Sequence, residues 1–162
     1  MPFNLKKQKG TFAHLNVREE KHGEDPVLAV DVKIKTDVHN KFLDELSPGM
    51  RATFYAGAAQ KDIEEDHLTV LRFPQLQPLK WTVGIVDGEF TVHGSTKAED
   101  LTFACQVKDA ILAPKEGGTV ELTFQAAVLP TPEQSGALAG LLGRDVKVSV
   151  KPVEQPDKPP VE

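Results

Sequence analysis

Cysteine is nearly absent: Cys105 is the only one in 162 residues. A single thiol excludes an internal disulfide and any multi-cysteine zinc site, and makes a cytoplasmic setting the default. Long apolar runs are missing as well. None approaches the roughly 20 residues that span a bilayer as a helix. The start, MPFNLKKQKG, has charge but no apolar stretch behind it, so no signal peptide is expected. Serines are few (Ser47, Ser95, Ser135 and Ser149) and none sits in a GxSxG elbow. No glycine-rich loop precedes a helix, so the nucleotide fingerprints are absent. The five histidines, His14, His22, His39, His67 and His93, form no HxH or HExxH pair. Basic charge is outnumbered: the net charge of -5 argues against tight binding to phosphate backbones unless a local patch overrides it. No repeat period appears, and the length fits one domain.

What is present is β patterning. Leu79–Gly94 reads LKWTVGIVDGEFTVHG, with Asp87-Gly88 between two apolar-rich runs. Both residues tolerate the φ > 0 of a type I′ turn, so a two-residue hairpin is predicted. Its register places Val83, Ile85, Phe90 and Val92 on one face with Trp81 at the end, and Thr82, Gly84, Thr91 and His93 on the other. The tip at Asp87, Gly88 and Glu89 is then exposed and rigid.

Around this unit the chain predicts a single β-rich domain over 11–151, a flexible basic arm over 1–10 and a disordered Pro-rich tail over 152–162. Thr11–Glu19 is expected as a strand with Ala13, Leu15 and Val17 on one face and Phe12, His14, Asn16 and Arg18 on the other. It pairs with Val27–Thr36, where Leu28, Val30, Val32 and Ile34 alternate with Asp31, Lys33 and Lys35. Asn40 is placed to cap a short helix, Lys41–Leu46, ended by a type II turn at Ser47-Pro48-Gly49. Strands follow at Arg51–Ala56 and His67–Phe73, the second apolar on both sides and so expected to be central or sandwiched. Asp100–Ala113, with a bulge near Ala110, and Thr119–Leu129 form a second long hairpin. Thr131-Pro132-Glu133-Gln134 is a capping box that opens the one strong helix, with Leu138, Leu141 and Leu142 as its apolar stripe and Gly143 as its stop. Arg144–Lys151 is the last strand. The fold class is therefore mainly β: an antiparallel β-sandwich or partly open β-barrel of about eight strands. One C-terminal-region helix, plugging an end or covering an edge, and one short helix complete it.

Chemistry-bearing clusters are sparse. His22, Glu24 and Asp25, or Asp66 and His67, could contribute to a metal site, but solvated loop positions explain them more simply, so no metal and no cofactor is expected. The acidic run Asp62, Glu64, Glu65 and Asp66 lacks the spacing of a calcium loop and is read as a solvated loop that a partner could contact. Cys105 falls mid-strand on an apolar face and reads as a small hydrophobe rather than a nucleophile. Lys33, Lys35, Arg51, Tyr55, Arg72, Lys80 and Trp81 make up an alternative face for single-stranded nucleic acid, since stacking rings with a basic groove serve that purpose in OB-type barrels.

Three stretches, Val17–Gly23 (VREEKHG), Leu71–Pro74 (LRFP) and Gly117–Leu122 (GGTVEL), occur in order ahead of a Leu-rich helix and a Val-rich last strand. Together they resemble a group of small proteins of tailed phages and prophages. The resemblance implies a phage-encoded protein in the bacterial cytoplasm or the virion, and it brings no activity and no catalytic residues. No constellation supplies nucleophile, base and orienter, or a metal cage. The expectation is a non-enzymatic binding or accessory protein that works by protein–protein contact, including inhibition of a host defence system, or by self-assembly. The alternatives are a single-stranded nucleic-acid accessory protein of phage recombination or replication, and a virion or assembly component. Asp87, Gly88, Glu89, Asp62, Glu64, Glu65 and Asp66 are the expected contact points. No membrane partner is expected, and a homo-oligomer is left open.

Overall fold

The computed structural model describes residues 4–57, 68–76, 78–81, 88–94 and 100–152. Nine strands and three short helices occur among them: β1 Leu5–His22, β2 Asp25–His39, α1 Phe42–Leu46, α2 Met50–Phe54, β3 Tyr55–Gly57, β4 Leu68–Leu71, β5 Leu79–Trp81, β6 Gly88–His93, β7 Leu101–Pro114, β8 Thr119–Val128, α3 Pro132–Ala139 and β9 Asp145–Pro152. Six of these strands pair in the ring β1-β2-β8-β7-β6-β9 and back to β1, each neighbour antiparallel. The sheet is a closed barrel, neither a sandwich nor an open one. Closure satisfies both edges of every wall strand within the ring.

The alternation read from the sequence sets the interior. Val30, Val32 and Ile34 of β2, Val120, Leu122, Phe124, Ala126 and Val128 of β8, and Val146, Val148 and Val150 of β9 all point inward and are buried. Phe103, Cys105 and Val107 continue this wall on β7. A bulge between Lys108 and Ile111, with Asp109 at φ 55°, then hands the inward positions to Ala110 and Leu112. The same device corrects β1. The register slips between Phe12 and His14, so Ala13 is an extra residue. Phe12, expected on the face opposite Leu15, is fully buried, and only beyond the bulge does Leu15 fall opposite Val32. The expected arm at 1–10 is also revised. Leu5–Gly10 belongs to β1, because β9 supplies its ladder from Val150 to Val146 and the core takes the Leu5 side chain. A Cβ at Gly10 would lie 3.1 Å from Ile34 Cγ2 and from the Lys35 carbonyl, which is how closely β1 and β2 approach there.

The predicted hairpin at 79–94 is not formed. Leu79, Lys80 and Trp81 pair with Leu112, Ile111 and Ala110, whereas Gly88–Val92 pairs with Cys105–Leu101. β5 and β6 therefore run in the same direction along one edge of β7, as two segments of one line. Residues 82–87 between them, including Asp87, lie outside the described residues. Gly88 is not a turn tip: it is buried in a ladder, with Cys105 on one side and Pro152 on the other. The long partner strand β7 outcompetes the local turn because it offers Phe103 and Cys105 opposite Phe90 and Gly88.

Both ends of the barrel are covered. The segment after β8 must reach β9, three strands away around a ring of six whichever way it is counted, so α3 crosses the open end. Its capping box forms as predicted, with the Gln134 amide donating to Thr131 Oγ1 (3.2 Å) and the Thr131 amide donating to Gln134 Oε1 (2.9 Å). Leu138 is buried in the core, while Leu142 is exposed. The helix stops at Ala139, before Gly143, whose amide donates to the Phe12 carbonyl at φ 81°.

At the other end, α1 buries Phe42, Leu43 and Leu46 as predicted. Asn40 does not cap it. Its side chain donates to the Leu68 carbonyl (2.6 Å) and accepts from Arg51 Nε (2.6 Å), tying α1, α2 and β4 together. The strand expected at 51–56 begins instead as α2, since Gly49 at φ 84° turns the chain back into a helical turn. β3 and β4 make a separate two-stranded sheet outside the ring, so the strand expected to be central or sandwiched is peripheral. Residues 153–162, the expected tail, lie outside the described residues, and Pro152 is part of β9.

Phe124 sits mid-wall and is fully enclosed, so Phe124→Ala removes the largest buried side chain of β8. Urea unfolding is expected to show a loss of about 3–5 kcal/mol with little change in slope. A loss under about 1 kcal/mol would show that the interior collapses around the gap.

Candidate functional sites on the barrel surface

The alternation that points Phe90 and Val92 inward points Glu89, Thr91 and His93 outward, and on β9 it exposes Lys147, Ser149 and Lys151. The ladder sets Thr91 opposite Ser149 and His93 opposite Lys147. His93 is therefore a diagonal neighbour of Ser149, within reach across the face. On its other side β6 pairs with β7, Val92 opposite Leu101, and the next position along that register is His93 beside Asp100. Three strands thus bring together three side chains that are far apart in sequence. His93 Nε2 lies 2.6 Å from Ser149 Oγ, and His93 Nδ1 lies 3.3 Å from Asp100 Oδ2. The Gly94 amide donates to Asp100 Oδ1 (2.8 Å), and this bond, with help from His93, holds the carboxyl below its ordinary range. The Lys7 amide, turned out of the ladder by the register shift between Leu5 and Gln8, donates to Ser149 Oγ (2.9 Å). A cleft of about 260 Å³ opens beside them, lined also by Asn4, Lys6, Glu89 and Lys151. Lys151 Nζ is 3.6 Å from Glu89 Oε1.

A second feature lies where β1 leaves the ring. β9 pairs with β1 only as far as Thr11, and β8 pairs with β2 only from Val30 onward. Beyond these points β1 and β2 continue as a two-stranded ribbon turned at Gly23-Glu24. Among the described residues, no strand pairs with the outer side of β1 after Phe12. Val17 is 51% exposed on this ribbon, beside a groove of about 360 Å³ that also touches Arg18, Glu19, Pro26, Val27 and Leu28. At its root sits an ion pair whose carboxylate is buried. Asp31, 5% exposed, accepts from Arg18 Nε (3.0 Å), with Lys108 Nζ 3.7 Å away. Burial alone would raise the Asp31 pKa, but the Arg18 hydrogen bond and the Lys108 and Arg18 charges outweigh it and hold the carboxyl below its ordinary value.

The residues singled out from the sequence are dispersed. Asp62, Glu64, Glu65, Asp66 and Asp87 lie outside the described residues, and Gly88 is inside the wall. Glu89 lines the cleft. Of the nucleic-acid face, Lys33 and Lys35 are exposed on β2, Lys80 is exposed on β5, and Trp81 is half-buried beside it. Arg51 and Tyr55 are buried and present nothing to solvent. Arg51 is fixed by Asn40, although its Nη2 has no hydrogen-bond partner, and Tyr55 Oη donates toward the Lys115 and Thr119 carbonyls. Arg72 braces the end layer through the Ala52 and Tyr55 carbonyls. The seven residues therefore do not share a face. The serine, histidine and aspartate of the cleft were missed because Ser149 and Asp100 become neighbours of His93 only through the β6–β9 and β6–β7 registers. Pairing the two Phe-x-x runs at Phe90 and Phe103, in place of trusting the Asp87-Gly88 turn, was the one signal available.

Among the described residues no helix is long and apolar enough to cross a membrane, and no three histidine, cysteine or acidic side chains converge as metal ligands. Comparison of the chain with protein-family models, curated proteins and solved structures finds no match. What the fold defines is a class: a closed six-stranded antiparallel barrel with a protruding ribbon.

Two measurements check this surface chemistry. A carboxyl held below its ordinary value adds stability that is complete above the unfolded value of about 3.9 and is lost as pH falls through the lower folded value. Asp31→Asn should therefore cost about 1–2 kcal/mol in urea unfolding at neutral pH, and progressively less as the pH falls below the unfolded value. Cys105 is buried, and burial, with Glu89 nearby, pushes its thiol up to about 11. It should stay unreactive to a disulfide reagent at neutral pH in the folded chain and react fully once the chain is denatured.

Proposed function

We propose that this chain is a phage-encoded binding protein that engages a protein partner through the β1–β2 ribbon. The observation that carries the reading is that, among the described residues, no strand pairs with the outer side of β1 just beyond Phe12, next to the exposed Val17. An unpaired strand edge presents a row of amide and carbonyl groups to which a partner strand can add, with alternate side chains reading its sequence. Arg18, Glu19, Glu20, Lys21, Glu24 and Asp25 place charge along this ribbon, a distribution that discourages indiscriminate edge-to-edge association and leaves room for a selective partner. The Asp31–Arg18 pair fixes the root from which the ribbon extends. The phage origin rests on the VREEKHG, LRFP and GGTVEL stretches, the first of which lies on the ribbon itself. Inhibition of a host defence protein is one role open to such a module, and assembly into a virion is another.

The test is a pull-down from bacterial host lysate with the intact chain and with Val17→Asp, which puts a charge on the ribbon without touching the barrel interior. One protein should be enriched by the intact chain and its recovery reduced about tenfold or more by the substitution, equivalent to at least about 1.4 kcal/mol. Equal recovery by both would sink the ribbon as the contact surface.

A further inference from the structure

The arrangement around His93 goes beyond a binding role. Three groups occur in the order a nucleophile needs: a hydroxyl (Ser149 Oγ), an imidazole 2.6 Å from it (His93 Nε2), and a carboxylate 3.3 Å from the other ring nitrogen (Asp100 Oδ2). The first distance is within the reach of a hydroxyl and its base, and the second is at the loose end of the range seen where a carboxylate orients the ring. Asp100 is itself held by the Gly94 amide, so its position does not depend on the imidazole alone. Ser149 is only half-buried and opens onto a cleft large enough for a small acyl group. The Lys7 amide donates to Ser149 Oγ and so fixes the hydroxyl, and Lys6 is among the residues that line the same cleft.

We propose that Ser149 is an acyl-accepting nucleophile with His93 as its general base and Asp100 as the residue that positions the imidazole, and that the cleft takes a small carboxylic ester. In the forward step the Ser149 hydroxyl proton moves to His93 Nε2 as Oγ bonds to the ester carbonyl carbon, and the carbonyl π pair moves onto its oxygen. Collapse expels the alkoxy group, which takes the proton from His93 and leaves as the alcohol. Water, giving a proton to the same imidazole, then adds to the acyl carbon; collapse breaks the bond to Ser149 Oγ, His93 returns the proton to Oγ, and the carboxylic acid is released. Nothing is oxidised or reduced. The volume of the cleft, about 260 Å³, suits a short acyl chain. This reading is independent of the ribbon, which lies beyond Thr11 on β1, and either can fail without the other.

The experiment is covalent labelling of the intact chain with a fluorophosphonate probe, followed by mass spectrometry of the whole protein and of the peptide carrying Ser149. One phosphonyl group per chain on Ser149 is expected, with loss of fluoride. His93→Gln should slow labelling about 100-fold, and Asp100→Asn at least about 10-fold, with Asp100→Glu restoring part of the rate. Ser149→Cys supplies a second readout, since its thiol should be alkylated by iodoacetamide faster than in the same variant carrying His93→Gln, with buried Cys105 silent as an internal standard. Absence of label on Ser149 in the folded wild-type chain overturns the proposal. So does a labelling or alkylation rate that His93→Gln leaves unchanged.

Discussion

Strand β9 is the constraint on which the rest depends. It lies between β1 and β6, pairing Val146–Val150 with Gly10–Leu5 on one side and Pro152–Lys147 with Gly88–His93 on the other. Without it the first strand and the sixth are free edges and the sheet is open. With it every ring strand has two neighbours, and Val146, Val148 and Val150 complete the interior. The chain's last described strand closes a wall begun by its first, so the barrel's stability is spread over contacts of long sequence separation, which cost loop-closure entropy before they return any burial.

Closure also dictates what the remaining segments do. A ring of six strands has two open ends, and each exposes apolar side chains until something covers it. The β8-to-β9 connection spans the ring, so it must pass over one end, and Leu138 fills the opening. This explains how α3 persists with Gly136 within it and Gly140 at its end: docking, not helix propensity, supports it. The opposite end is sealed by α1, α2 and the β3–β4 pair, locked by the Asn40–Arg51 and Asn40–Leu68 hydrogen bonds and by the Tyr55 hydroxyl at the Lys115–Thr119 turn. Arg51 and Tyr55 look like surface binders in sequence because one is charged and the other aromatic. In the fold they are the fastenings of this cover.

The outer surface is then divided by where pairing stops. Where β9 leaves β1 at Thr11, the β1–β2 ribbon begins, and no strand among the described residues pairs with its β1 edge. Where β6 is held between β9 and β7, its outward row is crowded by both neighbours, and His93 meets Ser149 and Asp100. The first is the surface proposed for a partner strand and the second the group of side chains proposed for acyl chemistry. They arise from one fact: strands longer than the ring can pair leave edges, and strands paired on both sides bring distant side chains together.

The sequence by itself determined which residues face inward along β2, β8 and β9, the bulge on β7, the β7–β8 and β1–β2 hairpins, and the capping box of α3. Each of these is local: period-two alternation and turn chemistry within about a dozen residues carry them. Tertiary structure alone decided closure, the pairing of β6 with β7 and β9 in place of its own upstream neighbour, and the helical turn at Met50–Phe54. It also decided the slip at Ala13 that drives Phe12 inward. Those outcomes turn on competition between partners far apart in the chain, and a local signal such as Asp87-Gly88 states only one side of that competition. The Ser149–His93–Asp100 cleft belongs wholly to this second group, because no window of sequence contains it and only the two registers of β6 assemble it.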